Sequence, residues 1–126
     1  MRSGEFLKDR GLRFFKNGFE LFKRGEYDLS AFNIEQAVQL ILKYAIWKKL
    51  GDFEKTHEIS KLLNDYKNLI DEKEKFEEFI KKYERTINDL EIAYIESRYL
   101  PSQFFKEQIE EMINFFEDLI DLIKIK

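Results

Sequence analysis

Asp28-Leu29-Ser30-Ala31-Phe32-Asn33-Ile34-Glu35-Gln36-Ala37-Val38-Gln39-Leu40-Ile41-Leu42-Lys43-Tyr44-Ala45-Ile46-Trp47-Lys48-Lys49-Leu50 is an unbroken stretch that ends at Gly51. It holds no proline, and its apolar residues (Ala31, Phe32, Ile34, Ala37, Val38, Leu40, Ile41, Leu42, Ala45, Ile46) fall on most of the circumference when wound at 3.6 residues per turn. A helix apolar nearly all round is predicted to be central, covered by neighbours on several sides. Gly51 supplies the stop, since glycine adopts the left-handed conformation that closes a helix.

Working outward, a first helix is expected from about Gly4 to Lys23, closed at Arg24-Gly25. Leu7, Gly11, Phe14, Phe15, Gly18, Leu21 and Phe22 recur in it at helical spacing. Gly11 and Gly18, seven apart on one face, cost helix propensity, and close approach of another helix would compensate. Downstream, Thr56 is placed to cap a short third helix striped by Ile59, Leu62, Leu63, Tyr66 and Leu69.

A fourth helix is expected over about Asp71 to Ser97, with Phe76, Ile80, Tyr83, Ile87, Leu90 and Tyr94 at steps of four and three. A fifth follows over about Ser102 to Ile125, with Phe105, Ile109, Met112, Phe116, Leu119 and Ile123 in the same rhythm and Ser102 as its cap after Pro101. No stretch alternates like a strand. The fold class is therefore all-α, an antiparallel up-and-down bundle of four to five helices forming a single domain over residues 1–126. Ile113, Phe115, Ile120 and Leu122 give the last helix apolar surface beyond its seam, which predicts a homodimer that covers the remainder.

Composition narrows the chemistry. Hydrophobic residues make up 44% and charged residues 37%, too apolar for a disordered chain. No segment reaches the roughly 18 consecutive apolar residues of a membrane span, and Lys8, Asp9, Arg10 and Arg13 interrupt the early stretch where a signal peptide would need its apolar core. There is no cysteine and one histidine, which excludes disulfides, thiol catalysis and the usual zinc sites and suits the cytoplasm. Glu77-Glu78 and Glu110-Glu111 read as solvated faces, so neither metal nor cofactor is expected. The abundance of Lys, Glu, Ile and Phe is like that of heat-adapted proteins.

Charge is uneven along the chain. Residues 1–25 carry 7 basic and 3 acidic groups and residues 52–126 carry 12 and 19, within a net charge of −3. The basic first helix, with Arg10, Arg13 and Lys16 in a band, reads either as a phosphate-attracting surface or as an ordinary solvated face.

The stretch Phe32 to Lys43, with its Gln36-Ala37 pair and its Lys43, resembles the second-helix signature of HEPN proteins. Gly25-Glu26-Tyr27 is similar to the family's turn after helix one, Thr56-His57-Glu58-Ile59 with Leu62-Leu63 to its entry into helix three, and Ser97-Arg98-Tyr99-Leu100-Pro101 to the segment that ends helix four. The resemblance implies a dimeric helical bundle of the kind that partners a minimal nucleotidyltransferase. Some such proteins are thought to bind nucleotides, and others are RNA-cleaving toxins of toxin-antitoxin pairs.

Two departures bear on that choice. The ribonuclease members carry a histidine four to six residues after an arginine, and none follows Arg98; the chain's His57 lies elsewhere. Gln39 stands where the family commonly has glutamate. The expected function is therefore a non-catalytic nucleotide-binding or substrate-binding subunit for a nucleotidyltransferase. An RNase toxin using Arg98 without the usual histidine, and a purely structural assembly module, are the alternatives.

For a nucleotide or RNA ligand the candidate residues are Gln36, Lys43, His57, Arg98 and Tyr99. Each also has a plainer reading. Arg98 pairs with a carboxylate and Tyr99 fills a turn; His57 is a hydrogen-bonded structural residue; Gln36 is a buried amide that satisfies backbone groups.

Overall fold

A computed structural model of the chain describes the backbone of residues 4–99 and 103–124, with the side chains of residues 4–95 and 103–124. Among these residues there are six helices and no strand: α1 (Glu5–Lys23), α2 (Tyr27–Leu50), α3 (Ile59–Lys67), α4 (Lys73–Lys82), α5 (Glu84–Tyr99) and α6 (Lys106–Ile123).

The first two helices form an antiparallel hairpin closed by Gly25, whose φ of 76° is the left-handed geometry expected of it. Its seam is built on glycines. A Cβ on Gly11 would come within 3.0 Å of Ile41, and one on Gly18 within 2.9 Å of Ile34, so the two backbones approach because neither residue has a side chain. Gly4 extends the series, since the Trp47 indole lies where its Cβ would be. The pairs Gly4–Trp47, Gly11–Ile41 and Gly18–Ile34 run in opposite directions, which fixes the antiparallel sense. Ser30 completes the seam by donating its hydroxyl to the Gly18 carbonyl at 2.7 Å.

The second helix is central, as its pattern predicts: it packs against α1, α3, α5 and α6. Ala31, Ile34, Ala37, Val38, Ile41 and Leu42 are fully buried in a core shared with Ile59, Leu62, Phe76, Leu90, Ile109 and Phe116. It closes at Gly51 with φ 78°.

Four expectations shift. The long fourth helix is broken at Tyr83, which separates α4 from α5. Backbone bonds from Tyr83 N to the Phe79 carbonyl and from Ile87 N to the Tyr83 carbonyl persist on either side, so the break is a local distortion. Its anchor is tertiary: the Tyr83 ring lies edge-on to Phe79 and Phe115, and its hydroxyl donates to Asp118 of α6 at 2.5 Å.

Thr56 does not cap α3. The helix starts at Ile59, and the Thr56 hydroxyl accepts the Glu58 N–H in the turn before it. Ser102 lies outside the described residues, and α6 begins at Lys106, where Gln108 Oε1 accepts the Phe105 N–H at 2.8 Å. With the start moved, Phe104 enters the core and Phe105 stands 72% exposed, out of its expected place in the seam.

The surplus apolar surface of α6 is largely covered within the chain. Phe115 is fully buried, stacked on Phe79 with ring centroids 5.1 Å apart, Ile113 is buried, and Ile120 and Leu122 pack against the core. On the opposite side, Phe15 of α1 stacks on Phe116 at 4.2 Å. That surface therefore gives no argument for a second copy.

Candidate functional site

Three polar residues interrupt the buried circumference of α2 one turn apart: Glu35, Gln39 and Lys43. At i, i+4 and i+8 they form one stripe on a helix whose other buried residues, Ser30 in the α1 seam aside, are apolar. Burial of such groups is costly unless each finds a partner.

Glu35 is fully buried. Its carboxylate accepts hydrogen bonds from Gln36 Nε2 at 2.9 Å and from Gln39 Nε2 at 2.5 Å. Because the Gln39 amide nitrogen is thus engaged, its Oε1 is left to accept, and His57 Nδ1 stands 3.3 Å from it. That assigns the His57 proton to Nδ1 and leaves Nε2 without a hydrogen bond to any described residue. The His57 ring is exposed and stacks on Tyr94 of α5, centroids 5.4 Å apart and 20° from parallel. The order from interior to rim is therefore Glu35, Gln39, His57, with Tyr94 alongside.

Lys43 closes the stripe and is the unusual member. It is 8% exposed, yet its ammonium makes no hydrogen bond or ion pair with any described residue. Burial lowers the amine's affinity for its proton below the ordinary lysine value, and the negative charge of Glu35 works in the opposite direction. Lys43 is thus a mostly buried residue whose ammonium has no hydrogen-bond acceptor among the described residues, which leaves its three donors to water or a ligand.

Of the residues that the sequence singles out, His57 is joined to the polar cluster through Gln39 and Gln36 through Glu35, while Lys43 lies one turn past Gln39 on the same stripe of α2. Gln36 donates to Glu35, so it buttresses the carboxylate. Arg98 and Tyr99 belong to the last turn of α5, one turn past Tyr94, and their side chains lie outside the described residues.

Sequence reasoning missed Glu35, Gln39 and Tyr94. The signal for the first two was present in the spacing of polar residues by four on a helix apolar elsewhere. It was obscured because Gln39 drew notice only as the loss of a charge, whereas a buried carboxylate stands one turn earlier at Glu35.

The cluster offers hydrogen-bonding groups beside a stacked aromatic pair, with Lys43 one turn past Gln39 on α2, an arrangement suited to holding an anionic or hydrogen-bonding ligand. Among the described residues no group of His, Asp and Glu converges as a metal site, and no helix is long and apolar enough to cross a membrane. No curated protein and no solved structure matches the chain. A family model described as the HEPN domain matches residues 5–126.

Proposed function

The chain belongs to the HEPN family, and from that premise we propose that it is a nucleotide-binding or substrate-binding subunit that partners a minimal nucleotidyltransferase and is non-catalytic by itself. The observation that carries this reading is Lys43, a mostly buried residue whose ammonium has no hydrogen-bond acceptor among the described residues. A phosphate or other anionic group would satisfy it where the protein does not. Gln39 and Glu35 hold the polar floor, and His57 with Tyr94 gives a stacked aromatic wall whose His57 Nε2 is free to bond a ligand.

Arg98 and Tyr99 are assigned to the same site in this proposal because α5 brings its last turn past Tyr94, and a guanidinium there would add bidentate phosphate contacts. A homodimer in the cytoplasm is kept in this proposal on the strength of the family alone, since the apolar surface of α6 is largely covered within the chain.

The test is thermal stabilisation of the purified protein by nucleoside mono- and triphosphates, beside Lys43→Ala and Arg98→Ala. A ligand at about 100 times its dissociation constant adds about 2.7 kcal/mol. A nucleoside monophosphate shift in the wild type that Lys43→Ala abolishes supports the site. If no nucleotide shifts the wild type, the site reading fails and the chain is better described as an assembly module. Sedimentation of the wild type with a nucleotidyltransferase encoded beside it tests the partnership separately.

A further inference from the structure

A second concentration of cations stands away from the Lys43 cluster, where the start of α1 meets the ends of α2, α3 and α6. The antiparallel hairpin puts the first turns of α1 beside the last turns of α2, as the Gly4–Trp47 contact shows. The result is a pocket of about 440 Å³ lined by Lys8, Lys48, Lys49 and Lys124 together with Tyr44 and Tyr66, and among the described residues no carboxylate lines it. In a chain with more acidic than basic residues, this is a marked local excess of one sign.

None of the four lysines forms an ion pair with a described residue, although lysines and arginines elsewhere on the surface do. Lys48, Lys49 and Lys124 sit at helix C-termini, where the macrodipole favours cations. Lys8 has no such reason. It lies near the N-terminal end of α1, where the dipole opposes a cation, yet its amine stands 5.7 Å from the Tyr44 ring centroid, with that of Lys48 at 5.8 Å. Two like charges against one ring, and four around one pocket, repel one another unless an anion lies between them.

We propose that this pocket binds a short chain of linked phosphates. A terminal phosphate brings roughly 1.5–2 negative charges and an internal one about one, so a chain of two or three carries about three to five and matches the four ammonium groups. The residue types argue for the phosphate chain as the recognised element. Lysines act as point charges with no planar fork for reading shape, and among the described residues no arginine lines the pocket. Tyr44 is buried and its ring is occupied by two lysine amines, which leaves it no role as a platform for a base. A nucleic-acid strand would spread its charges along a line, whereas these four converge.

Two sources supply that chemistry, a free oligophosphate and the phosphate chain of a nucleotide. Calorimetric titration at 50 mM salt without divalent metal separates them, using sodium tripolyphosphate, ATP, AMP and a single-stranded oligonucleotide lacking terminal phosphates. Tripolyphosphate and ATP should bind at least about tenfold more tightly than AMP. The double variant Lys8→Gln/Lys48→Gln should weaken both about tenfold or more, Lys8→Arg/Lys48→Arg should keep binding, and circular dichroism should show all of them folded. ATP tighter than tripolyphosphate assigns the source to nucleotides; the reverse assigns it to the free chain. Lys43→Ala should leave tripolyphosphate affinity within about twofold, which separates this pocket from the nucleotide site proposed above. No tripolyphosphate binding, AMP binding as tightly, tighter binding of the oligonucleotide, or a loss that follows Lys43→Ala and spares the Lys8/Lys48 variant would each overturn the proposal.

Discussion

The carboxylate of Glu35 and the amide of Gln39 meet at 2.5 Å one turn apart on the buried face of α2, and the same Gln39 passes the contact on to His57. An amide at position 39 can donate inward and accept outward at once. A carboxylate there could only accept, and it would face Glu35 with like charge.

Gln39→Glu should therefore destabilise the protein by about 2–4 kcal/mol at neutral pH, since two buried carboxylates in contact cannot both ionise cheaply. One of the pair would take up a proton with a pKa raised above the unfolded value of roughly 4.3. The folded state then binds more protons than the unfolded one between that value and the raised pKa, so the loss should shrink as the pH falls through this window. Urea denaturation of variant and wild type at pH 5 and pH 8 checks the sign; an equal loss at both would show that the introduced group is solvated.

Lys43 should give the opposite dependence. Burial depresses its folded pKa below the ordinary value of roughly 10.4, so between the two values the unfolded chain binds the extra proton and stability rises with pH. The stability of the wild type relative to Lys43→Met should accordingly increase as the pH climbs through the lowered pKa toward 10.4. A difference that stays flat over pH 7 to 10.5 would mean that the amine is fully hydrated.

Gly18→Ala tests the hairpin seam. Alanine improves helix propensity by about 1 kcal/mol, but its methyl would stand 2.9 Å from Ile34 Cγ1 and 3.3 Å from the Ser30 carbonyl, in a place where Ile34 is fully buried. Overpacking of this kind costs roughly 1–3 kcal/mol. A net loss in Tm is the expected outcome, while a gain would show that α1 shifts freely on α2.

Tyr83→Phe removes the hydrogen bond to Asp118 but keeps the ring between Phe79 and Phe115. Bonds to charged groups contribute about 1.5–3 kcal/mol, and the partly exposed Asp118 places this one toward the lower end. Burial, with the Asp118 carboxylate adding to it, pushes the Tyr83 phenol well above the tyrosine range. Ultraviolet titration of the folded wild type should thus show a tyrosine that stays protonated until alkaline unfolding and that is missing from the titration of Tyr83→Phe.

Much of the architecture was legible because it is local. The two glycine stops, the paired glycines of α1 and the all-round apolar α2 each state a backbone or burial requirement in a few neighbouring residues. The misplaced elements have another cause. Tyr83 fits a continuous helical seam by spacing, and only the ring contacts and the bond to α6 mark it as the break. Phe104 and Phe105 are alike in composition, and which of them enters the core depends on where α6 begins, set by the Phe105–Gln108 contact and the packing around it.

The site divides in the same way. Lys43, His57 and Gln36 stood out as polar residues in telling positions, but Glu35 was missed and Gln39 drew notice only as a lost charge, because their part in joining Gln36 to His57 shows only with the fold. The lysine pocket was further from view: Lys8 and Lys124 are 116 residues apart in the chain.

By itself, then, the sequence determined an all-helical chain with α2 at its centre and α1 folded back along it, because periodicity and glycine geometry act within a turn or two of the backbone. Only the tertiary structure decided that Glu35, Gln39 and His57 form one chain of hydrogen bonds, that Lys43 is buried without a hydrogen-bond acceptor among the described residues, and that four lysines from two helices and a helix cap surround one pocket. Burial and charge convergence are properties of the surroundings that distant segments supply, and no local pattern encodes them.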